Sequence, residues 1–184
     1  MRKLNVFNFT TLNGFYKGID GDISWHRHGA EESDFASNSM ESGGSTLLFG
    51  RVTYEMMASY WPTAQAAKEN PAVAEGMNKA DKIVFSRSLK KVDWPNTRIV
   101  RDMVEEVKKL KASAGPDLTL LGSGSILTQL AGHGLVDGFQ FMIDPVALGA
   151  GTPVFHGLGR KLDLKLTDTR AFKSGVVLVS YVVL

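Results

Sequence analysis

Short apolar runs alternate with helix-compatible segments as far as Ala131, and the chain then finishes in strands alone; no single motif constrains the fold as tightly as that order. Strand-like runs fall at about 4–11, 45–49, 82–86, 97–100, 118–121, 137–143, 162–172 and 175–183. Several are dominated by β-branched and aromatic residues, and Gly, Pro, Asn or Asp bound them. Between them, Arg51–Tyr60 sets Val52, Met56 and Tyr60 on one helical face. Asn70 ahead of Pro71 is a cap followed by proline at the first helical position, opening a helix to about Ala80. Asp102–Ala112 turns Met103, Val107 and Leu110 inward and stops at Gly115-Pro116. Ser123–Ala131 follows the fifth run directly, and a weaker helix covers Ala30–Met40. Alternation of this kind builds parallel strands with helical crossovers, whereas closing strands without long helices pair antiparallel. The expectation is therefore one α/β domain over 1–184, with a mixed eight-stranded sheet covered by helices on both faces.

Composition removes several functions. Cysteine is absent, which excludes a disulfide framework, thiol nucleophiles and cysteine–zinc sites together. A net charge of +2 is too small to argue for nucleic acid, and Lys108, Lys109 and Lys111 fit one solvated helix face. No run approaches the roughly 18 apolar residues that span a bilayer, and Asn5 and Asn8 interrupt any signal-like start. A cytoplasmic protein with no nucleic-acid or membrane partner is expected.

Three strand ends carry phosphate-compatible chemistry. In Ser45–Glu55 an apolar run stops at Gly50, and a helix opens with Arg51 and Thr53. A strand that ends on glycine before a helix leaves unpaired amides and the positive dipole end facing one point, and Arg51 adds a formal charge. In 117–126 a buried run enters the turn Gly122-Ser123-Gly124 and then a helix with Ser125 and Ile126, where glycine lets backbone approach a ligand closely. In Lys82–Arg87 a strand ends on the hydroxyl of Ser86 and the guanidinium of Arg87. Each junction alone also serves as a plain structural turn. Three at the carboxyl ends of strands suit one extended ligand with several phosphates.

Those segments, with Thr11–Phe15 and Asp144–Phe155, occur in one order that resembles the dihydrofolate reductase-like family. The branch is the one similar to the C-terminal reductase domain of the bifunctional riboflavin-pathway enzyme. The resemblance implies an eight-stranded three-layer sandwich with NADPH across its strand ends. It assigns Gly50, Arg51 and Thr53 to the cofactor's pyrophosphate and 2′-phosphate, Ser86 and Arg87 to the adenosine side, and Gly122, Ser123, Gly124, Ser125 and Ile126 to the glycine turn. It further implies reduction of a pteridine- or pyrimidine-like heteroaromatic molecule and a possible homodimer through the C-terminal strands and Asp144–Phe155. The enzyme's zinc deaminase step needs cysteines and is excluded. A nucleotide-binding protein that keeps the fold without catalysis is the rival.

The substrate side is less legible. The resemblance sets Thr11 and Asn13 against the nicotinamide and Trp25 at the pocket wall, while a core strand with a turn and an apolar anchor explain the same residues. The glycine-containing loop 15–29 has the length of a lid. His26-Arg27-His28 suits an anionic group, with a metal on Asp22, His26 and His28 as the weaker alternative, so no metal is expected. The family carboxylate that orients substrate and assists protonation matches Asp34, with Glu31 and Glu32 as neighbours; acids in a first helical turn also cap. Two departures stand out: Gly122-Ser123 replaces a Gly-Gly pair, and Met142 replaces a hydroxyl that often supports the carboxylate.

Overall fold

The computed structural model describes residues 1–27, 29–41 and 44–184. Among them are ten strands: β1 (Leu4–Thr11), β2 (Phe15–Lys17), β3 (Thr46–Gly50), β4 (Lys82–Phe85), β5 (Thr97–Val100), β6 (Leu118–Leu121), β7 (Gly138–Asp144), β8 (Thr152–Pro153), β9 (Leu164–Ala171) and β10 (Val177–Val183). The helices are α1 (Ala30–Glu41), α2 (Arg51–Tyr60), α3 (Ala64–Glu69), α4 (Pro71–Lys79), α5 (Met103–Ala112) and α6 (Gly124–Gly132). Eight strands form one sheet in the order β5-β4-β3-β6-β1-β7-β10-β9, and β2 and β8 pair separately. The first six of that order run parallel, and β10 is antiparallel to both of its neighbours. All eight expected strand runs lie in this sheet. The extra ladder β2–β8 and the short α3 carry no periodicity that would announce them.

Burial follows from covering both faces. β3 and β4 are buried at every residue, as central parallel strands require. Alternation sends Leu4, Val6, Leu48, Leu118 and Leu120 toward α5 and α6, where they meet Val107, Leu127 and Leu130. Leu47, Phe49 and Val84 face the other way, onto Tyr54, Val73, Met77 and Trp94. Toward the antiparallel end, Met142, Phe172 and Leu178 pack with Phe7 and Phe9 of β1 and Phe35 of α1. Each such leucine contributes about 1.5–3 kcal/mol by leaving water.

Lys82 opens β4 and is 1% exposed. Its ammonium donates to the carbonyls of Met77, Asn78 and Ala80 at 2.9, 3.2 and 2.6 Å, which satisfies the C-terminal end of α4. It also sits 4.6 Å above the Trp94 ring. Burial pushes its pKa down to about 8.

Parallel β1, β3, β4, β6 and β7 all finish on one edge of the sheet, so Thr11, Gly50, Phe85, Leu121 and Asp144 line up there. Among the described residues no helix is long and apolar enough to cross a membrane.

Candidate functional site

Adjacent strands β3 and β6 bring two of the three junctions into contact through one side chain. Ser123 Oγ accepts the Gly50 N–H at 2.9 Å and lies 2.8 Å from Thr53 Oγ1. Gly50 must lack a side chain here: a Cβ would sit 2.8 Å from Ser123 Oγ and 3.1 Å from Ile126 Cγ1. Gly122 (φ 61°) and Ser123 (φ 55°) are consecutive left-handed residues, so the turn keeps its unusual geometry although serine replaces the second glycine. Of the two, only Ser123 carries a conformational cost for its left-handed backbone, and its contacts with Gly50 and Thr53 hold it in place. Beyond them, α6 makes its first intrahelical bonds from Ile126 and Leu127 to Ser123 O, which leaves the Gly124 and Ser125 amides at the helix start.

Gly124 answers to a different neighbour. A Cβ there would lie 2.6 Å from Tyr16 Cε1, so the residue makes room for β2.

The third junction opens into a cleft of about 470 Å³ lined by Ser86, Arg87, Arg101, Met103, Ile126 and Gln129. Ser86 Oγ accepts the Leu89 N–H at 3.0 Å, which shapes the turn after β4. Arg101 donates to the Ser86 and Leu89 carbonyls, the latter at 2.6 Å, and so fastens that turn from β5. Arg87 is exposed and forms no ion pair among the described residues. Arg51 is also exposed and reaches Glu55 one turn on, at 3.0 and 3.2 Å. Arg101 and Gln129 were not named from sequence. An arginine at the end of β5, parallel and adjacent to β4, is the signal that would have found the first. A second cleft of about 560 Å³ lies among Lys17, Ile19, Asp20, Val52, Gly151 and Thr152.

On the substrate side the expected groups are engaged locally. Thr11 Oγ1 donates to Asn13 Oδ1 at 2.8 Å and accepts the Phe15 N–H at 3.0 Å. Asn13 in turn bonds both the carbonyl and the amide of Leu148, at 2.8 and 3.2 Å. Trp25 is half-buried, and its Nε1 donates to the Asp22 carbonyl at 3.1 Å.

Asp34, expected to face the pocket, is exposed and without a hydrogen bond or ion pair among the described residues. Among the acids of α1 whose burial is described, Glu32 is the buried one, 6% exposed, and it accepts from Ser174 Oγ. Glu31 accepts the Lys173 N–H at 2.9 Å, and that amide, with the Lys173 side chain, holds its carboxyl below the usual range. Both acids dock α1 on the β9–β10 turn. Met142 is 2% exposed and packs against Phe172, Val176 and Leu178.

One constellation at this edge was missed. Asp144, the last residue of β7 and fully buried, has Oδ2 2.8 Å from His26 Nδ1 and accepts the Arg27 N–H on Oδ1 at 2.8 Å. The His26 ring lies 3.8 Å from that of Phe9. A lone acid closing an apolar strand before Pro145 was the available signal. His28 lies outside the described residues, and among the described ones no three His, Asp or Glu side chains gather to hold a metal.

Known proteins resemble this chain over nearly its full length. The uncharacterized protein YyaP of Bacillus subtilis (strain 168) is 33% identical over 171 residues, covering 93% of this chain and 89% of that protein. YwjB of the same strain is 24% identical and covers 96% of both. Among solved structures, a protein from Shewanella sp. PV-4 superposes with a TM-score of 0.74 at 20% identity, over 99% of each chain. A pyrimidine reductase-like protein of Corynebacterium diphtheriae gives 0.68 at 12% identity, over 100% of this chain and 92% of that one. The third is the Thermotoga maritima diaminohydroxyphosphoribosylaminopyrimidine deaminase/5-amino-6-(5-phosphoribosylamino)uracil reductase. It gives 0.65 at 15% identity, over 100% of this chain and 57% of that one. These likenesses confirm the eight-stranded sheet and its flanking helices. The model of the RibD C-terminal domain matches residues 2–178, and this chain belongs to that family.

Proposed function

We propose that this chain is an NADPH-dependent reductase of a pteridine- or pyrimidine-like small molecule. The family match supports a reductase-type domain of the riboflavin pathway. The observation that carries the finer reading is the joining of Gly50, Thr53 and Ser123 beside a cleft that holds Ser86 and Arg87.

The residues fit a dinucleotide phosphate. Gly50 admits no Cβ, consecutive left-handed residues precede the α6 amides, and two exposed guanidiniums flank them. Arg51 and Arg87 would hold the 2′-phosphate, the larger share of its charge being met by bidentate hydrogen bonds. The start of α6 and the Gly122-Ser123 turn would hold the pyrophosphate. When bound, the nicotinamide supplies the hydride. The protein orients it, and loop 15–29, pinned by Asp144, excludes water.

One observation favours a second reading, a nucleotide-binding protein without catalysis. Thr11 is spent on a local turn and Asn13 on the backbone of Leu148, and Asp34 is exposed. NADPH oxidation measured with 7,8-dihydrofolate, 7,8-dihydrobiopterin and a ribosylaminopyrimidine separates the two. Turnover of any of them supports the reductase; saturable NADPH binding with no turnover supports the binder.

A further inference from the structure

The cleft beside Ser86 and Arg87 has an apolar side as well as a cationic one. Met103 and Val104 from the first turn of α5 line it, together with Ile126 and Gln129 from α6. Ile126 also borders the phosphate junction, since a Cβ on Gly50 would lie 3.1 Å from its Cγ1. Gln129 shares the helix face of Ile126 and stands about 4.5 Å farther along α6. We propose that this side of the cleft reads the purine base of the dinucleotide, with Gln129 Oε1 accepting a hydrogen bond from the 6-amino group of adenine; this rests on the reductase reading and its NADPH.

The helix fixes which end of the Gln129 amide is offered. Nε2 donates to the Ser125 carbonyl at 2.9 Å, and a carbonyl can only accept, so the nitrogen faces Ser125 and the oxygen is the atom left over. Gln129 is exposed, and its Oε1 accepts no hydrogen bond among the described residues. The groups around it divide by chemistry. Arg87 and Arg101 are donors throughout and suit a phosphate. Of the cleft's other side-chain acceptors, Ser86 Oγ takes the Leu89 N–H at 3.0 Å and Asp102 Oδ1 takes the Glu105 N–H at 3.1 Å, so both shape local backbone.

An acceptor beside aliphatic side chains selects a flat ring that presents a donor at its edge. Adenine presents its 6-amino group. Guanine carries a carbonyl oxygen at the same ring position, which would set two acceptors face to face. Met103, Val104 and Ile126 supply the apolar contact for the ring, and Gln129 supplies the discrimination.

The test titrates the full chain with NADPH and with its analogue that carries purine in place of adenine and so lacks only the amino group. The wild type should bind the analogue about 3–10-fold more weakly than NADPH, the worth of one neutral hydrogen bond. In Gln129→Leu, NADPH should fall to the affinity of the analogue, which itself should hold within about twofold. Equal wild-type affinity for the two ligands overturns the proposal, whether or not the variant folds, and leaves the reductase reading standing. A preference that survives in Gln129→Leu also overturns it, and gives the amino group to Asp102. Failure of the wild type to bind NADPH at all is a separate result: it removes the reductase reading, and the base contact falls with it.

Discussion

At the level of single residues, the reductase reading we propose makes Arg51 the residue that decides cofactor choice, with its partner setting how strongly. It is half-exposed and bonded to Glu55, so a 2′-phosphate must compete with that carboxylate. Replacing Arg51 by Glu should weaken NADPH binding by about 1.5–3 kcal/mol, the scale of a charge-assisted hydrogen bond, while NADH binding changes little. Equal losses for both cofactors would assign Arg51 to the shared pyrophosphate. Glu55→Gln should do the reverse and tighten NADPH by about 0.3–0.5 kcal/mol, the worth of an exposed i,i+4 pair. Calorimetry on the two variants checks both signs. Lys82 sets a different expectation. Its pKa is about 8 when folded against the ordinary lysine value of 10.5, so between those limits the unfolded chain binds more protons and this group makes stability rise with pH. The full benefit is present above about 10.5, and it is lost as pH falls through about 8. The gain is on the order of 3 kcal/mol. Chemical denaturation of wild type and Lys82→Met across that range should show the rise in the wild type alone; parallel curves would mean that Lys82 titrates normally.

Gly124 and the glycine turn show what individual elements require. Gly124→Val should push Tyr16 aside and loosen β2, whose one ladder among the described residues is with β8. Melting temperature should fall, and NADPH affinity should fall less in the fraction that stays folded; a stable protein with lost affinity would make Gly124 a cofactor contact first. The elements of the main sheet were legible because their strands carry period-two or continuous apolar patterns, and β3 and β4 are buried throughout. The ladder β2–β8 was not, since Phe15–Lys17 and Thr152–Pro153 are too short to carry a period. The face of α1 was also hidden. In Ala30–Glu41 only Phe35 and Met40 are large and apolar, so periodicity does not decide whether Glu32 or Asp34 turns inward. Burial of Glu32 comes instead from the β9–β10 turn, more than a hundred residues away in sequence. Asp144 meets His26 across a similar span, and no local spacing connects them.

For the whole molecule, six parallel strands that finish on one edge turn scattered glycines and arginines into one surface. The opposite end of the sheet closes with β9, which is exposed along nearly its whole length, and Leu166, Val182 and Leu184 are exposed there. A homodimer through this end is the assembly we propose, and Val182→Lys should dissociate it in light scattering; a wild-type monomer at micromolar concentration would contradict it. Lys165, Asp168 and Arg170 on β9 would then stand as edge charges that block pairing. The cofactor edge carries the central claim, and isothermal titration of the full chain with NADPH and with NADH tests it most directly. One saturable site per chain is expected, with NADPH bound more tightly than NADH and the preference lost in Arg51→Glu. Absence of binding by either nucleotide, or equal affinity for both, would contradict it.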